Sequence, residues 1–565
     1  MRSATAQLVP NDLVASVQAW VAQDPDPVTR AELLALLEQE DIAALRDRFD
    51  HPLQFGTAGL RGPLGAGPAR MNRVVVRRTT AGLARYVLDR IGPSSVVVGR
   101  DARHGSAQFA ADAAAVLGAS GLSALRFARA LPTPITAFAV RHLGAAAGVM
   151  ITASHNPAAD NGYKVYLEDG AQVVPPHDTA IATAANKADP AALAGTGPSG
   201  RVTEVDEAEV LGSYHRAVLS VLASDGPRRI RTVYTPLHGV GGAVLPDLLE
   251  AAGFPRPAPV AAQAQPDPDF PTVPFPNPEE PGALDLALAE TERLNADLVL
   301  ANDPDADRLA AAVPSPHGGY RVLTGDELGI LLADHLISAT EGSDRLVATT
   351  VVSSSMLSVL AEDTGVAYVE TLTGFKWIAR AAHSRPGHRL LFGYEEALGY
   401  AVTDAVADKD GLSAALVVSE MAALAAARGR SLLHRLDELE ARLGVHATAQ
   451  WSLRLAGSDA PDVLAALMAK WRAAPPERVA GLEVSEVRDM ARGDGELPPA
   501  DVLVLRLGGA GRVVLRPSGT EPKLKVYLEA TSAPCSLDDL PDARRAAQAR
   551  LEQLRADVST WSGPW

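Results

Sequence analysis

Six short runs of aliphatic and β-branched residues recur along this chain, and stretches of helical periodicity separate them. They are SSVVVG (Ser94 to Gly99), AAGVMIT (Ala146 to Thr152), RTVYT (Arg231 to Thr235), ADLVLA (Ala296 to Ala301), RLVATTVV (Arg345 to Val352) and RLLFG (Arg389 to Gly393). Segments such as TRAELLALLEQEDIAALRDRF repeat apolar residues at three and four positions with charge in between, the pattern of an amphipathic helix. A near-continuous apolar strand leaves no face for water. Its alternation with helices therefore predicts α/β units whose sheets are buried on both sides. At 565 residues the chain exceeds the ~250–300 that one core sustains, so three or four domains are expected.

Three stretches read as joints. ADPAALAGTGPSG, before Arg201, is small and turn-rich, and QPDPDFPTVPFPNPEEPG, from Gln265, holds seven prolines and is expected to be a stiff extended connection. The third is ARLGVHATAQ, after which the chain reads as a separate, smaller α+β unit.

Asp and Glu outnumber Lys and Arg by 68 to 52, a formal charge of −16 that opposes general attraction to nucleic acid or to an anionic membrane surface. An anionic ligand must then meet cations gathered locally. The single cysteine, Cys535, forms no intramolecular disulfide and suits a reducing cytosol. The first twenty residues lack the basic flank and apolar core of a secretory signal. The longest apolar stretch, SAALVVSEMAALAAA from Ser413, is broken by Ser419 and Glu420 and falls short of the roughly 20 residues of a membrane span. It reads as a buried helix of a cytoplasmic protein with no membrane partner.

Several of the strands run straight into polar loops, and ligands of open α/β sheets bind at the carboxyl ends of strands. After ADLVLA comes NDPDADR, with carboxylates at Asp303, Asp305 and Asp307. Pro304 resists continuation of a central strand, so the chain curls and alternate carboxylates converge on one hard cation. An EF-hand is excluded because its sixth and twelfth positions would be Arg308 and Pro314. An aspartyl-phosphate hydrolase is disfavoured because Asp307 stands where its second-Asp spacing calls for Thr or Val. Three carboxylates with open positions for a phosphate oxygen suit Mg²⁺.

AAGVMIT leads into ITASHNPAADNGYK, where Ser154 precedes His155. No Gly-x-Ser-x-Gly elbow surrounds Ser154, which excludes an α/β-hydrolase nucleophile. Neighbours in a strand point to opposite sides, so His155 is not read as the base for Ser154. A turn at Asn156-Pro157 and a hairpin at DNGYKVY are expected to bring Lys164 back toward the loop. VVLRPSGTEPKLKVYLEA (Val513 to Ala530) reads as two strands around a phosphate cradle made of Arg516, Ser518, Gly519 and Thr520. Lys376 in TLTGFKWIAR and the glutamates Glu395 and Glu396 in LLFGYEEALGY lie on further loops, where a carboxylate can accept two sugar hydroxyls.

Taken together, these loops resemble the α-D-phosphohexomutase superfamily, the phosphoglucomutases and phosphomannomutases. TASHNP, DPDADR, GYEEALGY and RPSGTEPK are similar to its four active-site motifs, in the family's order and across almost the whole chain. FGTAGLRGPLGAGPARMN, PNPEE, TGFKWI and KDG at Lys409 extend the likeness, most of all to the branch of bacterial α-phosphoglucomutases, phosphopentomutases and glucose-1,6-bisphosphate synthases. The resemblance implies four domains around a central active-site cleft: three related α/β domains with mixed sheets over 1–205, 206–325 and 326–445, and a smaller α+β domain over 446–565.

By the same likeness Ser154 is the phosphoserine, and it holds Mg²⁺ with Asp303, Asp305 and Asp307. Arg61 and Lys164 lie at the reacting phosphate, Arg308 follows the metal loop and Lys376 lies near the catalytic centre. Glu395 contacts sugar hydroxyls, and Arg516, Ser518, Gly519 and Thr520 hold the non-reacting phosphate. The proton acceptor stays open among Lys164, Lys376 and His155. The expected activity is phosphoglucomutase, with glucose 1,6-bisphosphate as activator and intermediate, sugar phosphates as ligands and a monomer or weak homo-oligomer as the assembly. Ala397 stands where many hexose mutases have Ser, which leaves phosphopentomutase and phosphomannomutase as alternatives. A metal-dependent phosphatase or a silent sugar-phosphate binder is the rival from another class.

Overall fold

The computed structural model describes residues 10–54, 59–188, 201–222, 225–454, 460–493, 497–518 and 523–561. They form two compact units: the first comprises 1–222, 229–311 and 405–416, the second 223–228, 312–404 and 417–565. The short segment 405–416 thus belongs with the first unit.

The first unit is built on a six-stranded mixed sheet. Ser95–Arg100 lies at its centre and pairs in parallel with Ser123–Arg126 on one side and Ala147–Ile151 on the other, with Val202–Glu204 at one edge. At the other edge, Asp160–Leu167 runs antiparallel to Ala147–Ile151, and Leu60–Pro63 runs antiparallel to Asp160–Leu167. Ala147–Ile151 is buried along its whole length, as its lack of alternation predicts. Val96, Val98, Val149, Ile151, Tyr163 and Val165 join helix residues such as Val76, Leu83, Phe109 and Leu117 in one apolar core. Fully burying such a side chain is worth about 1.5–3 kcal/mol, so this core rather than local propensity holds the sheet together.

The chain reversal after Ala147–Ile151 contains the expected turn at Asn156-Pro157, and the Asn-Gly of DNGYKVY takes no part in it. Residues 154–159 make the reversal, and Asn161-Gly162 lies inside the strand Asp160–Leu167. Gly162 is required there by close approach: a Cβ would stand 2.4 Å from the Thr152 carbonyl oxygen and 2.7 Å from that of Leu60. The register then sets Lys164 opposite Met150, beside the start of the Ser154 loop.

A second sheet in the first unit pairs Thr232–Thr235 in parallel with Ala258–Pro259 and Leu298–Ala301. The proline-rich stretch from Gln265 is no free connection. Phe270 and Val273 are buried and cluster with Ala283 against Ala158 in the Ser154 loop, while Glu279 pairs with Arg308 at 3.0 Å. Proline supplies a stiff backbone without N–H groups to satisfy, which suits a strap laid over another loop. Most of the first expected joint, residues 189–200, lies outside the described residues.

The second unit holds a four-stranded sheet ordered Ala367–Thr371, Arg345–Thr350, Arg389–Glu395, Gly399–Ala401, parallel except for the last pair. A five-stranded antiparallel sheet follows, ordered His446–Arg454, Lys523–Thr531, Gly511–Pro517, Leu503–Arg506, Glu486–Asp489. Helix Leu540–Ser559 covers one of its faces through Leu551, Leu554 and Val558. ARLGVHATAQ spans the end of helix Leu432–Leu443 and the start of strand His446–Arg454, both in the second unit. The apolar stretch from Ser413 lies in helix Gly411–Ala427, where the buried Glu420 meets His335 at 3.0 Å and Arg228 at 3.3 Å. Among the described residues no single helix is long and apolar enough to cross a membrane.

The other face of the antiparallel sheet is polar at one point. Glu529, buried, accepts from Arg512 Nε at 2.7 Å, from Ser354 Oγ at 2.9 Å and from Ser355 N at 2.8 Å, and Arg512 Nη1 donates to the Val351 carbonyl at 3.1 Å. Removing one partner of a buried pair strands the other charge. Arg512→Met is therefore expected to lower stability by about 3–5 kcal/mol, read as an earlier urea transition in tryptophan fluorescence; an unchanged midpoint would refute the role given to this pair.

Candidate active site

Leu298–Ala301, buried along its length, delivers the chain to Asn302–Arg308. Ala306 adopts a left-handed backbone, φ 55°, and its N–H bonds the Asp303 carbonyl at 2.9 Å, closing the curl that Pro304 begins. Asn302 ties the ends together, with Nδ2 donating to the Arg308 carbonyl at 2.5 Å and Oδ1 accepting from Tyr234 Oη at 2.8 Å. Asp303, Asp305 and Asp307 are fully buried, and one carboxylate oxygen from each lies within 4.8 Å of the others.

Two ammonium groups meet this cluster. Lys164 Nζ donates to Asp305 Oδ2 and Asp307 Oδ2, both at 2.9 Å, and Lys409 Nζ stands 3.2 Å from Asp307 Oδ2. Thr133 Oγ1 adds a bond to Asp305 Oδ2 at 2.7 Å. Burial opposes the charge of Asp307, but Lys164, Lys409 and Arg308 outweigh it and hold its carboxyl below the usual carboxylate range. Asp303 goes the other way: burial first, then Asp305 and Asp307, push it well above that range. Oδ1 of Asp305 and Oδ1 of Asp307 are buried and accept no hydrogen bond among the described residues. Oxygens this close, one carboxylate destabilised as an anion and two orphaned acceptors fit a small hard cation, so the triad can hold a metal.

Ser154 faces this cluster. Its Oγ donates to Asp303 Oδ2 at 2.9 Å, and its N–H bonds Thr152 Oγ1 at 2.8 Å. Its backbone is left-handed, φ 53°, a conformation that costs a non-glycine residue roughly 1–3 kcal/mol and persists where surrounding contacts impose it. That conformation corrects the expectation for His155: the chain has already left the strand, and His155 Nδ1 lies 3.2 Å from Ser154 Oγ. Burial, then Arg308 and Arg61, push the imidazole well below its ordinary pKa, so it is neutral. Lys164 is the reverse case. Burial works against its ammonium, and Asp305 and Asp307 overcome it, so Lys164 stays charged.

Arg61, on strand Leu60–Pro63, lies opposite Gly162. Burial lowers its pKa while Asp305 and Asp307 pull the other way, and its Nε has no hydrogen-bond partner among the described residues. Arg308 N–H donates to Asp303 Oδ1 at 3.1 Å.

Three groups at this end were not singled out from sequence for a role here: Thr133, Arg103 and Lys409. For Lys409 a local signal existed in KDG. Its flanking carboxylates are buried anchors: Asp408 Oδ2 accepts from Tyr166 Oη at 2.9 Å and Gln172 Nε2 at 2.8 Å, and Asp410 Oδ2 accepts from Tyr214 Oη at 2.8 Å. A Cβ on Gly411 would stand 2.2 Å from the Arg308 carbonyl oxygen, so only glycine lets this turn lie against the metal loop.

The remaining candidates belong to the second unit. Glu395, at the end of strand Arg389–Glu395, accepts from Gly374 N at 2.8 Å, and Glu396 Oε2 accepts from Ser353 Oγ at 2.8 Å. Lys376 is buried, with Nζ 5.9 Å from the Trp377 ring centre. Arg516 closes strand Gly511–Pro517 and hydrogen-bonds Tyr527, and Ser518 N–H donates to the Lys523 carbonyl at 2.8 Å. Gly519 and Thr520 lie outside the described residues.

A buried serine hydroxyl against a buried carboxylate triad, with two ammonium groups beside it, is an arrangement that can hold a metal and meet a phosphoryl group. Models of the four domains of phosphoglucomutase/phosphomannomutase match in order: α/β/α domain I at 52–192, domain II at 213–318, domain III at 324–442 and the C-terminal domain at 475–545. A "Probable phosphomannomutase" of Haemophilus influenzae is 41% identical, over 81% of this chain and 93% of its own. A mouse phosphopentomutase is 34% identical (92% and 90%), and a phosphoglucomutase of Staphylococcus aureus 32% (90% and 95%). The chain belongs to the phosphoglucomutase/phosphomannomutase family, and it is a mutase that moves phosphate between positions of a sugar phosphate.

If the triad holds a cation, Mg²⁺ raises the melting temperature of the wild type with concentration, by mass action on the folded state. The same titration on Asp307→Asn is expected to give a much smaller increment, and an unmoved wild-type melting temperature would count against the metal site. A second expectation concerns Glu396, whose pKa burial pushes up to about 7 from an ordinary 4.5, with Glu395 and Asp326 adding to it. A raised carboxyl favours the folded state below its unfolded pKa, and this contribution is lost as pH rises through about 7. Between pH 5 and pH 8 the wild type should therefore lose stability relative to Glu396→Gln; parallel melting curves would contradict this.

Proposed function

We propose that the protein is a phosphoglucomutase that interconverts α-D-glucose 1-phosphate and glucose 6-phosphate through a phosphoserine at Ser154 and a glucose 1,6-bisphosphate intermediate. The observation that supports the chemistry is Ser154 Oγ at 2.9 Å from Asp303 within the buried triad. In the first step the bond between phosphorus and Ser154 Oγ breaks as a bond to the free sugar hydroxyl forms. The hydroxyl proton passes to a neighbouring base, for which neutral His155 is better suited than Lys164, committed as a cation to Asp305 and Asp307. Lys164 and Arg61 offset the charge on the transferring group. Mg²⁺, held by Ser154 Oγ, Asp303, Asp305 and Asp307, would supply further electrostatic stabilisation of that charge.

The bisphosphate then turns end for end and returns its other phosphoryl group to Ser154. Glu395 would read sugar hydroxyls, Lys376 would stand near the reacting sugar, and Arg516, Ser518, Gly519 and Thr520 would hold the idle phosphate. Glucose 1,6-bisphosphate would prime the enzyme. This reading keeps the four-domain division at 1–205, 206–325, 326–445 and 446–565 and a cytoplasmic location, suited to phosphorylated metabolites and a lone cysteine. The relatives divide between hexose and pentose names, so the hexose reading rests on the motif resemblance, and a pentose 1-phosphate is the second reading, favoured by the mouse phosphopentomutase match over 92% of the chain.

The intact mass of the purified protein should show one phosphate that Ser154→Ala lacks, with mutase turnover abolished in the variant. Normal turnover in Ser154→Ala would end the phosphoserine assignment. Side-by-side assays on glucose, mannose and ribose 1-phosphates settle the sugar: a much larger kcat/KM for ribose 1-phosphate would transfer the proposal to phosphopentomutase, and phosphate release without isomerisation would make it a phosphatase.

A further inference from the structure

Arg103 sits behind the Ser154 loop, with its side chain only 1% exposed. Its guanidinium gathers four backbone carbonyls of that loop. Nη2 donates to Ser154 O at 2.6 Å and Asn156 O at 2.5 Å, and Nη1 donates to Pro157 O at 2.7 Å and Asp160 O at 3.2 Å. One of the four carbonyls is that of Ser154 itself, the residue with the left-handed backbone.

Asp101 and Phe270 flank the guanidinium. Asp101 Oδ1 accepts the Arg103 N–H at 3.0 Å and Ser106 Oγ at 2.6 Å, and Asp101 Oδ2 lies 3.4 Å from Arg103 Nε. Ser106 Oγ in turn receives Asn161 Nδ2 at 3.0 Å, from the strand that carries Lys164. The ring of Phe270, from the proline-rich strap, lies 4.9 Å from the guanidinium carbon. A planar fork with separate donors can bridge carbonyls spread along a loop, whereas an ammonium offers all its donors from one atom.

We propose that Arg103 is a positioning residue for phosphoryl transfer: by clamping the loop it holds Ser154 Oγ on the side of Asp303, and it acts on the reaction only through Ser154. This role rests on Ser154 being the phosphoryl carrier. The strap that supplies Phe270 belongs to the same device, because the Phe270 ring lies against the buried guanidinium.

The test compares Arg103→Lys and Phe270→Leu with the wild type, each after phosphorylation by glucose 1,6-bisphosphate, on the sugar 1-phosphate that the wild type turns over best. Three quantities are read: phosphate on Ser154 by intact mass, kcat against KM, and the rate at which the phosphoenzyme loses phosphate to water, with a serine hydroxyl and inorganic phosphate as products. A displaced nucleophile costs on the order of 100-fold in rate. Arg103→Lys should therefore lose kcat by about that factor with KM changed less than about threefold, since binding contacts are untouched. Loss of phosphate to water should rise relative to mutase turnover, and Phe270→Leu should shift the same quantities in the same direction by about tenfold. A kcat within about threefold of wild type in phosphorylated Arg103→Lys, even with a lowered melting temperature, overturns the proposal and leaves Arg103 a stabilising residue. If Arg103→Lys does not fold, Phe270→Leu decides by the same criterion. A wild type that carries no phosphate on Ser154 overturns the underlying assignment itself, which the Arg103 variants alone cannot do.

Discussion

Everything at the reacting end of the first unit depends on keeping three carboxylates buried together. Taking a carboxylate out of water costs several kcal/mol, and three within 4.8 Å repel one another as well. The fold answers with cations from separate parts of the chain. Lys164 comes from the antiparallel edge of the six-stranded sheet, and Lys409 from a segment that returns to the first unit from beyond residue 400. Their side chains satisfy one oxygen of Asp305 and one of Asp307, leaving the partner oxygens for something else. Asp303, given no ammonium of its own, is the carboxylate on which the serine hydroxyl rests. The hydrogen bonding is thus incomplete in a directed way: the unmet acceptors lie within the triad, where a cation could be held.

The loops that meet this requirement share a backbone device. Ser154 and Ala306 each hold a left-handed conformation, with φ of 53° and 55°, and each follows the end of a strand. For residues with a Cβ this is a strained choice that folded proteins keep mainly at functional sites. Its effect is to turn the chain sharply within one residue, so that side chains which would alternate across a strand come to face the same side. Asp303, Asp305 and Asp307 converge for this reason, and His155 reaches the hydroxyl of its own neighbour. The strain is offset by contacts that fix the loop ends, such as Asn302 across the metal loop and Arg103 behind the serine loop.

Much of this was legible in the sequence because it is local. Each of the six apolar runs lies in a strand, the carboxylate spacing announced the metal loop, and the two strands around RPSGTEPK pair as read. The antiparallel return of Lys164 was also legible from the turn at Asn156-Pro157, whereas Gly162 is there for close packing and not for a turn. What escaped were groups whose meaning is set by distant partners. Thr133 is an ordinary helix-start residue until Asp305 lies beside it, and Arg103 is one arginine among many until four carbonyls converge on it. The proline-rich strap misled for the same reason. Composition reports that such a segment is stiff and irregular, and only the buried Phe270 shows that it is spent bracing another loop.

The relatives bear mannose, pentose and glucose names while sharing long alignments with this chain. Two tasks of unequal demands explain how one scaffold serves all three. A phosphoryl group presents the same charge and oxygen geometry whatever sugar bears it, so the serine, the carboxylates and their cations have little freedom to vary. Sugar hydroxyls are neutral and differ in number and direction, and a carboxylate on a loop can accept from several arrangements of them. Here that loop is anchored from behind, with Glu395 bonded to Gly374 N and Glu396 to Ser353 Oγ. One oxygen of each glutamate is therefore committed to the protein, and Ala397 brings no hydroxyl where many hexose mutases have one. On the proposed function, with Glu395 reading the sugar, selectivity would come from shape and from the few remaining acceptors, a weaker constraint than the one that fixes the phosphoryl group.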